Sequence, residues 1–211
     1  MKLNQKIVIV DYGVGNVYSV YNAIKFLGYT NIKITDKEID LKLSDVIILP
    51  GVGAFDEAMR NIKLRNLDMI LAEIVLVDKK PILGICVGMQ ILSEGSEENG
   101  WHEGLKWIEG SVKKLELPSN YVVPHVGWNN IVIKNHNSLF LNQNNNTPHF
   151  YFDHSYYFET DDKYVTSYCD YGINITTSVQ HNNIFGVQFH PEKSQLNGLK
   201  LLRCFLNKVR F

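Results

Sequence analysis

Three short β-branched runs, each followed by a stretch of helix length, constrain this chain more than any other feature. "KIVIVD" precedes Asn16 to Leu27, "DVIILPG" precedes Ala54 to Val77, and "PILGIC" precedes Val87 to about Glu94. Alternation of this kind predicts an α/β fold, a largely parallel central sheet whose strands are joined by crossover helices. Continuous apolar strands such as "VIIL" imply burial on both faces, and therefore helices on both sides of the sheet. The second half changes character. "HFYFDHSYYFET", "KYVTSYC", "NITTSVQ" and "IFGVQFHPE" are aromatic and β-branched strands separated by Asn, Asp and Gly turns, expected as antiparallel or mixed additions to the sheet. Leu199, Leu202, Leu206 and Val209 recur at helical spacing and predict a final amphipathic helix packed back on the sheet. The asparagine-rich "KNHNSLFLNQNNNTP" reads as a mobile surface loop. With no internal repeat and no linker, the 211 residues are expected to form one domain, 1–211.

Composition removes several function classes. Net charge is -1 and 20% of residues are charged, so neither a nucleic-acid-binding surface nor an acidic tail is expected. The apolar run Ile7 to Val10 is too short for a signal sequence or a membrane span, which predicts a cytosolic protein with no membrane partner. Three scattered cysteines argue against a disulfide framework and suit a reducing compartment. The seven histidines contain no H-x-x-x-H and there is no C-x-x-C, so neither a metal nor another cofactor is expected. "DYGVGN" has a G-x-G after a strand, but the third glycine of a dinucleotide fingerprint falls on Tyr18.

The chemistry concentrates at "LGICVGMQ". In G-x-C-x-G a nucleophile sits at a sharp strand-to-helix turn, with Gly84 and Gly88 leaving room for the backbone to double back. The positive end of the following helix and its unpaired N–H groups are expected to favour thiolate, and the N–H of Val87 points where negative charge would build on an attacked carbonyl. A lone cytosolic cysteine is more often a small buried hydrophobe, so context decides. "GVQFHPEKS" supplies it. His190 and Glu192 project from the same side of an extended segment, so the carboxylate can orient the imidazole as base beside the Cys86 thiol. A second corner, "LPGVGAF", has Gly51 and Gly53 where the backbone could approach a ligand; the pattern also suits a plain tight turn.

Taken in order, "LPGVGAF", "LGICVGMQ", "VPHVGWN", "YFDHSY" and "GVQFHPEKS" resemble class I glutamine amidotransferases over essentially the whole chain, a single flavodoxin-like domain. "DYGVGN", "PHVGWN" and "HPEKS" narrow the resemblance to the subtype that feeds ammonia to a separate (β/α)8-barrel cyclase subunit of histidine biosynthesis, forming a heterodimer. The resemblance implies a Cys86, His190, Glu192 triad acting on L-glutamine, with Val52 and Val87 N–H groups as oxyanion hole. It implies that Gly51, Gly53, Gln90 and Glu98, with the backbone of His154, Ser155 and Tyr156, hold the substrate. Trp128, Tyr151 and Lys193 match residues near the partner interface and ammonia route. Asp153 departs from the pattern, which has an apolar residue there; a carboxylate at that place needs a hydrogen-bonding partner or solvent.

Three other readings share parts of this pattern. Paralogues of the subtype supply ammonia to enzymes that modify nucleotide-linked or surface sugars. A catalytically silent regulatory subunit would keep the fold without the chemistry, although all three triad positions are filled here. A cysteine hydrolase of esters or peptides would share the elbow but not Gln90, Glu98 and the "HSY" strand.

Overall fold

A computed structural model describes residues 4–134, 139–140 and 147–208. The first half contains β1 (Ile7–Val10), α1 (Val17–Phe26), β2 (Ile32–Thr35), α2 (Glu38–Lys42), β3 (Val46–Gly51), α3 (Phe55–Leu64), α4 (Leu67–Ala72), β4 (Ile82–Cys86) and α5 (Val87–Gln90). The second half adds β5 (Gly95–Ser96), β6 (His102–Glu103), β7 (Ser111–Lys114), β8 (His125–Asn130), β9 (Val132–Ile133), β10 (His149–His154), β11 (Tyr156–Glu159), β12 (Val165–Asp170), β13 (Asn174–His181), β14 (Ile184–Val187) and α6 (Gln195–Lys208). None of the described helices is long and apolar enough to cross a membrane.

Among the described residues the central sheet has eight strands in the order β2-β1-β3-β4-β14-β13-β12-β9. Its first five strands are parallel and the pairings of β13 with β14, β12 with β13 and β9 with β12 are antiparallel, so the sheet is mixed. β1, β3, β4 and β14 are buried along their whole length, as continuous apolar runs demand in a doubly covered sheet. Right-handed crossovers that step in opposite directions from β1 put α1 on one face and α2, α3 and α4 on the other. The contacts agree: α1 meets α6, while α2 and α3 meet α4.

Four local expectations change. The stretch Ala54 to Val77 is two helices, broken where Asn66 adopts a left-handed conformation (φ 56°, ψ 22°), and α4 then widens into a π-helical turn at Glu73–Val77. The helix expected from Val87 to Glu94 is a single turn. "HFYFDHSYYFET" is two strands parted at Ser155, and neither joins the central sheet: β10 pairs with β8, and β11 extends a small β11-β7-β5-β6 sheet. β2 was hidden from the sequence pattern because this edge strand is mostly half-exposed and lacks a continuous apolar run. Most of the asparagine-rich segment, and Val209, lie outside the described residues; Leu139 and Phe140 within that segment are buried.

The sheet brings distant residues level at its carboxyl edge. Gly51 pairs with Cys86 across β3 and β4, and Val187 pairs with Ile85 across β4 and β14. Ligands of open α/β sheets bind beyond this edge. The β8–β10 ribbon closes over it. Phe150 of β10 stacks on Phe189 at 4.0 Å between ring centroids, and Phe152 meets Phe189 edge-on at 5.7 Å. Phe150 and Phe189 are fully buried. Phe150→Ala should therefore cost about 3–5 kcal/mol of stability, read as a lower denaturation midpoint in urea, and should loosen the segment that leads into His190.

Candidate active site

The geometry of Cys86 begins with its backbone. It sits at φ 56°, ψ -113°, a conformation a non-glycine residue holds only when its surroundings impose it. What imposes it is close packing of glycines. A Cβ on Gly88 would stand 1.8 Å from the Leu49 carbonyl oxygen, and one on Gly84 would stand 2.4 Å from the Gly88 oxygen. The turn therefore folds onto β3 and holds the thiol, 3% exposed, at the floor of an open cleft. The helix expected to favour the thiolate is only one turn long, so the sulfur owes little to a helix dipole.

His190 follows β14 by three residues and lies near enough to Cys86 for the two groups to be electrostatically coupled. Its Nδ1 is 2.8 Å from Glu192 Oε1, and both side chains are 2% exposed. Burial alone would push this imidazole down. The hydrogen bonds and charges of Cys86 and Glu192 outweigh burial and hold it at about 10. His190 thus rests protonated at neutral pH, with its Nδ1–H donating to the carboxylate. Backbone contacts pin the segment: the His190 N–H donates to the Tyr151 carbonyl at 2.9 Å, and the Ser194 hydroxyl donates to the His190 carbonyl at 2.6 Å.

The cleft is lined by Val52, Gly53, Cys86, Val87, Gln90, Glu98, Pro124, Asp153, His154, Ser155 and Tyr156. Most residues expected from the sequence to hold substrate therefore lie together. Gly51 does not line the cleft; it lies under it, packed against Val87, Gly88 and Tyr12. Glu98 Oε2 accepts from the Phe55 N–H at 2.8 Å at the start of α3, so its carboxylate is anchored. Asp153 is exposed at the cleft mouth, where solvent meets the cost of its charge. Trp128, Tyr151 and Lys193 do not line the cleft. They cluster outside it, with Trp128 edge-on to Tyr151 at 6.2 Å and the Lys193 ammonium 5.3 Å from the Tyr151 ring centroid.

Several site residues were not anticipated. Gln188 donates from Nε2 toward Cys86 Sγ at 3.7 Å, and its Oε1 accepts from Gln90 Nε2 at 3.1 Å. Its position two residues before His190 was the available signal, because alternate residues of an extended segment share a side. The Tyr12 hydroxyl is buried beneath Gly51, with no hydrogen-bond partner among the described residues; burial and the nearby Cys86 charge both hold its proton on. His125 and His154 form a buried pair, Nδ1 to Nε2 at 3.0 Å. Among the described residues no group of three or more His, Cys, Asp or Glu side chains is placed to hold a metal ion.

Comparisons with known proteins agree with this arrangement. The sequence profile of the glutamine amidotransferase class-I family matches residues 8–209. The chain is 46% identical over 205 residues to "Imidazole glycerol phosphate synthase subunit HisH 2" of Vibrio vulnificus, covering 97% of this chain and 95% of that protein. It is 46% identical over 201 residues to "Imidazole glycerol phosphate synthase subunit HisH" of Leptospira interrogans, covering 93% and 97%. The structure of PurLQS from Thermotoga maritima shares the fold, with a TM-score of 0.73, 20% identity and coverage of 98% of this chain and 100% of that one.

The charged state of His190 carries a stability prediction. A histidine raised from about 6.5 unfolded to about 10 folded contributes stability that is complete below pH 6.5 and disappears as pH rises through 10. The stability deficit of His190→Gln relative to the unmodified protein should be largest below pH 6.5 and shrink toward pH 10. Urea midpoints at pH 6, 8 and 10 measure it.

Proposed function

The chain belongs to the glutamine amidotransferase class-I family, and on that premise we propose that it is the glutaminase subunit of imidazole glycerol phosphate synthase in histidine biosynthesis. The observation that carries the reading is the buried grouping of Cys86, His190 and Glu192, with His190 bonded to Glu192 and electrostatically coupled to Cys86, beside a cleft lined by Cys86, Gln90 and Tyr156.

In this reading the Cys86 sulfur, as thiolate, attacks the side-chain amide carbon of glutamine. The carbonyl π electrons move to oxygen, where the Val52 and Val87 N–H groups receive the charge. Collapse of that adduct breaks the C–N bond, and His190 delivers its proton to the departing nitrogen, releasing ammonia. His190, now neutral, takes a proton from water as that water attacks the glutamyl thioester. Glutamate leaves and the sulfur is regenerated. Glu192 keeps the ring aligned and stabilises its charged form. Losing one oxyanion donor costs about a hundred- to a thousandfold in rate, so a hole completed only on partner binding would keep the free subunit nearly silent.

Ammonia in open water becomes mostly ammonium and loses its nucleophilic lone pair, so its acceptor has to sit close by along a shielded route. The reading gives that acceptor to a (β/α)8-barrel cyclase subunit bound as a heterodimer, which converts the ribotide substrate to imidazole glycerol phosphate and aminoimidazole carboxamide ribotide. Its docking face is the outer side of the β8–β10 ribbon, where Val126 and Trp128 are exposed apolar side chains beside Tyr151 and Lys193. The complex works in the cytosol, where cysteine stays reduced.

Cys86→Ala should lower glutamate release by about 10⁴-fold or more while leaving the fold intact, measured by a coupled glutamate assay. Adding the cyclase with its nucleotide ligand should raise the turnover of the unmodified protein strongly. Glutaminase activity that ignores the cyclase would instead point to a sugar-modifying partner, and a fully active alanine variant would refute the chemistry.

A further inference from the structure

His125 lies outside the residues that the proposed chemistry uses, yet it is 2% exposed and directly opposite His154 in the β8–β10 register. We infer that His125, acting through His154, is a positioning residue that sets the Tyr156 carbonyl and the Gln90 amide of the glutamine pocket. The inference deepens the glutaminase reading and rests on it for the identity of the ligand.

The hydrogen bonds, together with burial that keeps both rings neutral, place the protons in this pair. A carbonyl oxygen can only accept, so the 2.9 Å contact between His154 Nδ1 and the Tyr156 oxygen places a proton on Nδ1. Burial pushes His154 down to about 3, so the ring is neutral and its Nε2 carries a lone pair. His125 Nδ1, 3.0 Å away, must then donate. Burial also pushes His125 down to about 4, which leaves its Nε2 bare to accept from Asn129 Nδ2 at 3.4 Å. Both imidazoles are Nδ1–H tautomers, and all three bonds run one way, from Asn129 to the Tyr156 carbonyl.

That carbonyl also accepts from Gln90 Nε2 at 3.0 Å, Gln90 Nε2 donates to Gln188 Oε1, and Gln188 Nε2 reaches toward the Cys86 sulfur. A continuous line of hydrogen bonds thus runs from the ribbon to the nucleophile. Its first ring is clamped: His125 lies between Phe152 at 4.6 Å and Tyr171 at 3.9 Å, both nearly parallel to it. The same strand that carries His125 and Asn129 inward turns Val126 and Trp128 outward, 54% and 45% exposed.

His125→Phe keeps an aromatic ring in the clamp and removes the donor; His125→Asn restores an N–H near the Nδ1 position. With the full chain and cyclase present, the Phe variant should raise the glutamine KM about tenfold with kcat changed less than twofold, and the Asn variant should recover most of that loss. A wild-type KM for the Phe variant, or an Asn variant no better than Phe, overturns the inference. Nitrogen-15 spectra of the unmodified protein give a test independent of substrate and of variant folding: both rings should show protonated Nδ1 and bare Nε2 at pH 7. Any other tautomer overturns the proposal even if glutamine is the substrate. The expected tautomers in a protein inert toward glutamine would refute only the glutaminase reading.

Discussion

The parallel ladder between β4 and β14 is the constraint on which the site depends. It pairs Ile85 with Val187, and from that level one segment turns sharply at Cys86 while the other leaves the sheet and bends through Gln188 and Phe189 to His190. No local interaction could bring these segments together, because a large part of the chain separates them. The apolar strands that build the sheet thereby also set the distance between sulfur and imidazole. The glycines of the elbow serve the same end: they let the turn press onto β3 until backbone meets backbone at Leu49. A strained residue persists there because its surroundings leave it no alternative.

Electrostatics then divides three neighbouring histidines into two roles. His190 is buried, which would lower it, yet its contacts with Cys86 and Glu192 raise it to about 10. Burial pushes His125 down to about 4 and His154 down to about 3, where the hydrogen bond to the Tyr156 carbonyl does not offset it. One imidazole is a proton donor at neutral pH, and the other two are fixed, neutral hydrogen-bonding links. The β8–β10 ribbon joins these roles physically, since the Tyr151 carbonyl holds the His190 backbone while the partner strand carries His125.

Much of this was legible in the sequence, for specific reasons. Cys86 between glycines is a local pattern with a direct geometric meaning, and the apolar strands announce a doubly covered sheet; His190 and Glu192 do meet, but across a 3-10 turn at Pro191–Lys193 rather than along the extended segment expected. The break at Asn66 was not legible, because apolar spacing continues on both sides of a single left-handed residue. Nor was the parting of β10 from β11 at Ser155, where one aromatic run serves two sheets. His125, Gln188 and Tyr12 escaped notice because their importance comes from partners far away in the chain. Asp153 stood out as a departure, and its exposure at the cleft mouth accounts for how the chain tolerates it.

The central claim is that Cys86, held against His190, is a nucleophile directed at glutamine. Incubation with a chloroketone analogue of glutamine, followed by mass spectrometry of the peptides, tests it most directly. The account predicts one adduct, on the peptide carrying Cys86, suppressed by added glutamine, while the buried Cys169, its thiol pushed up to about 12 by burial, stays unmodified. An unmodified Cys86, or labelling spread over Cys169 and Cys204 and indifferent to glutamine, would contradict it.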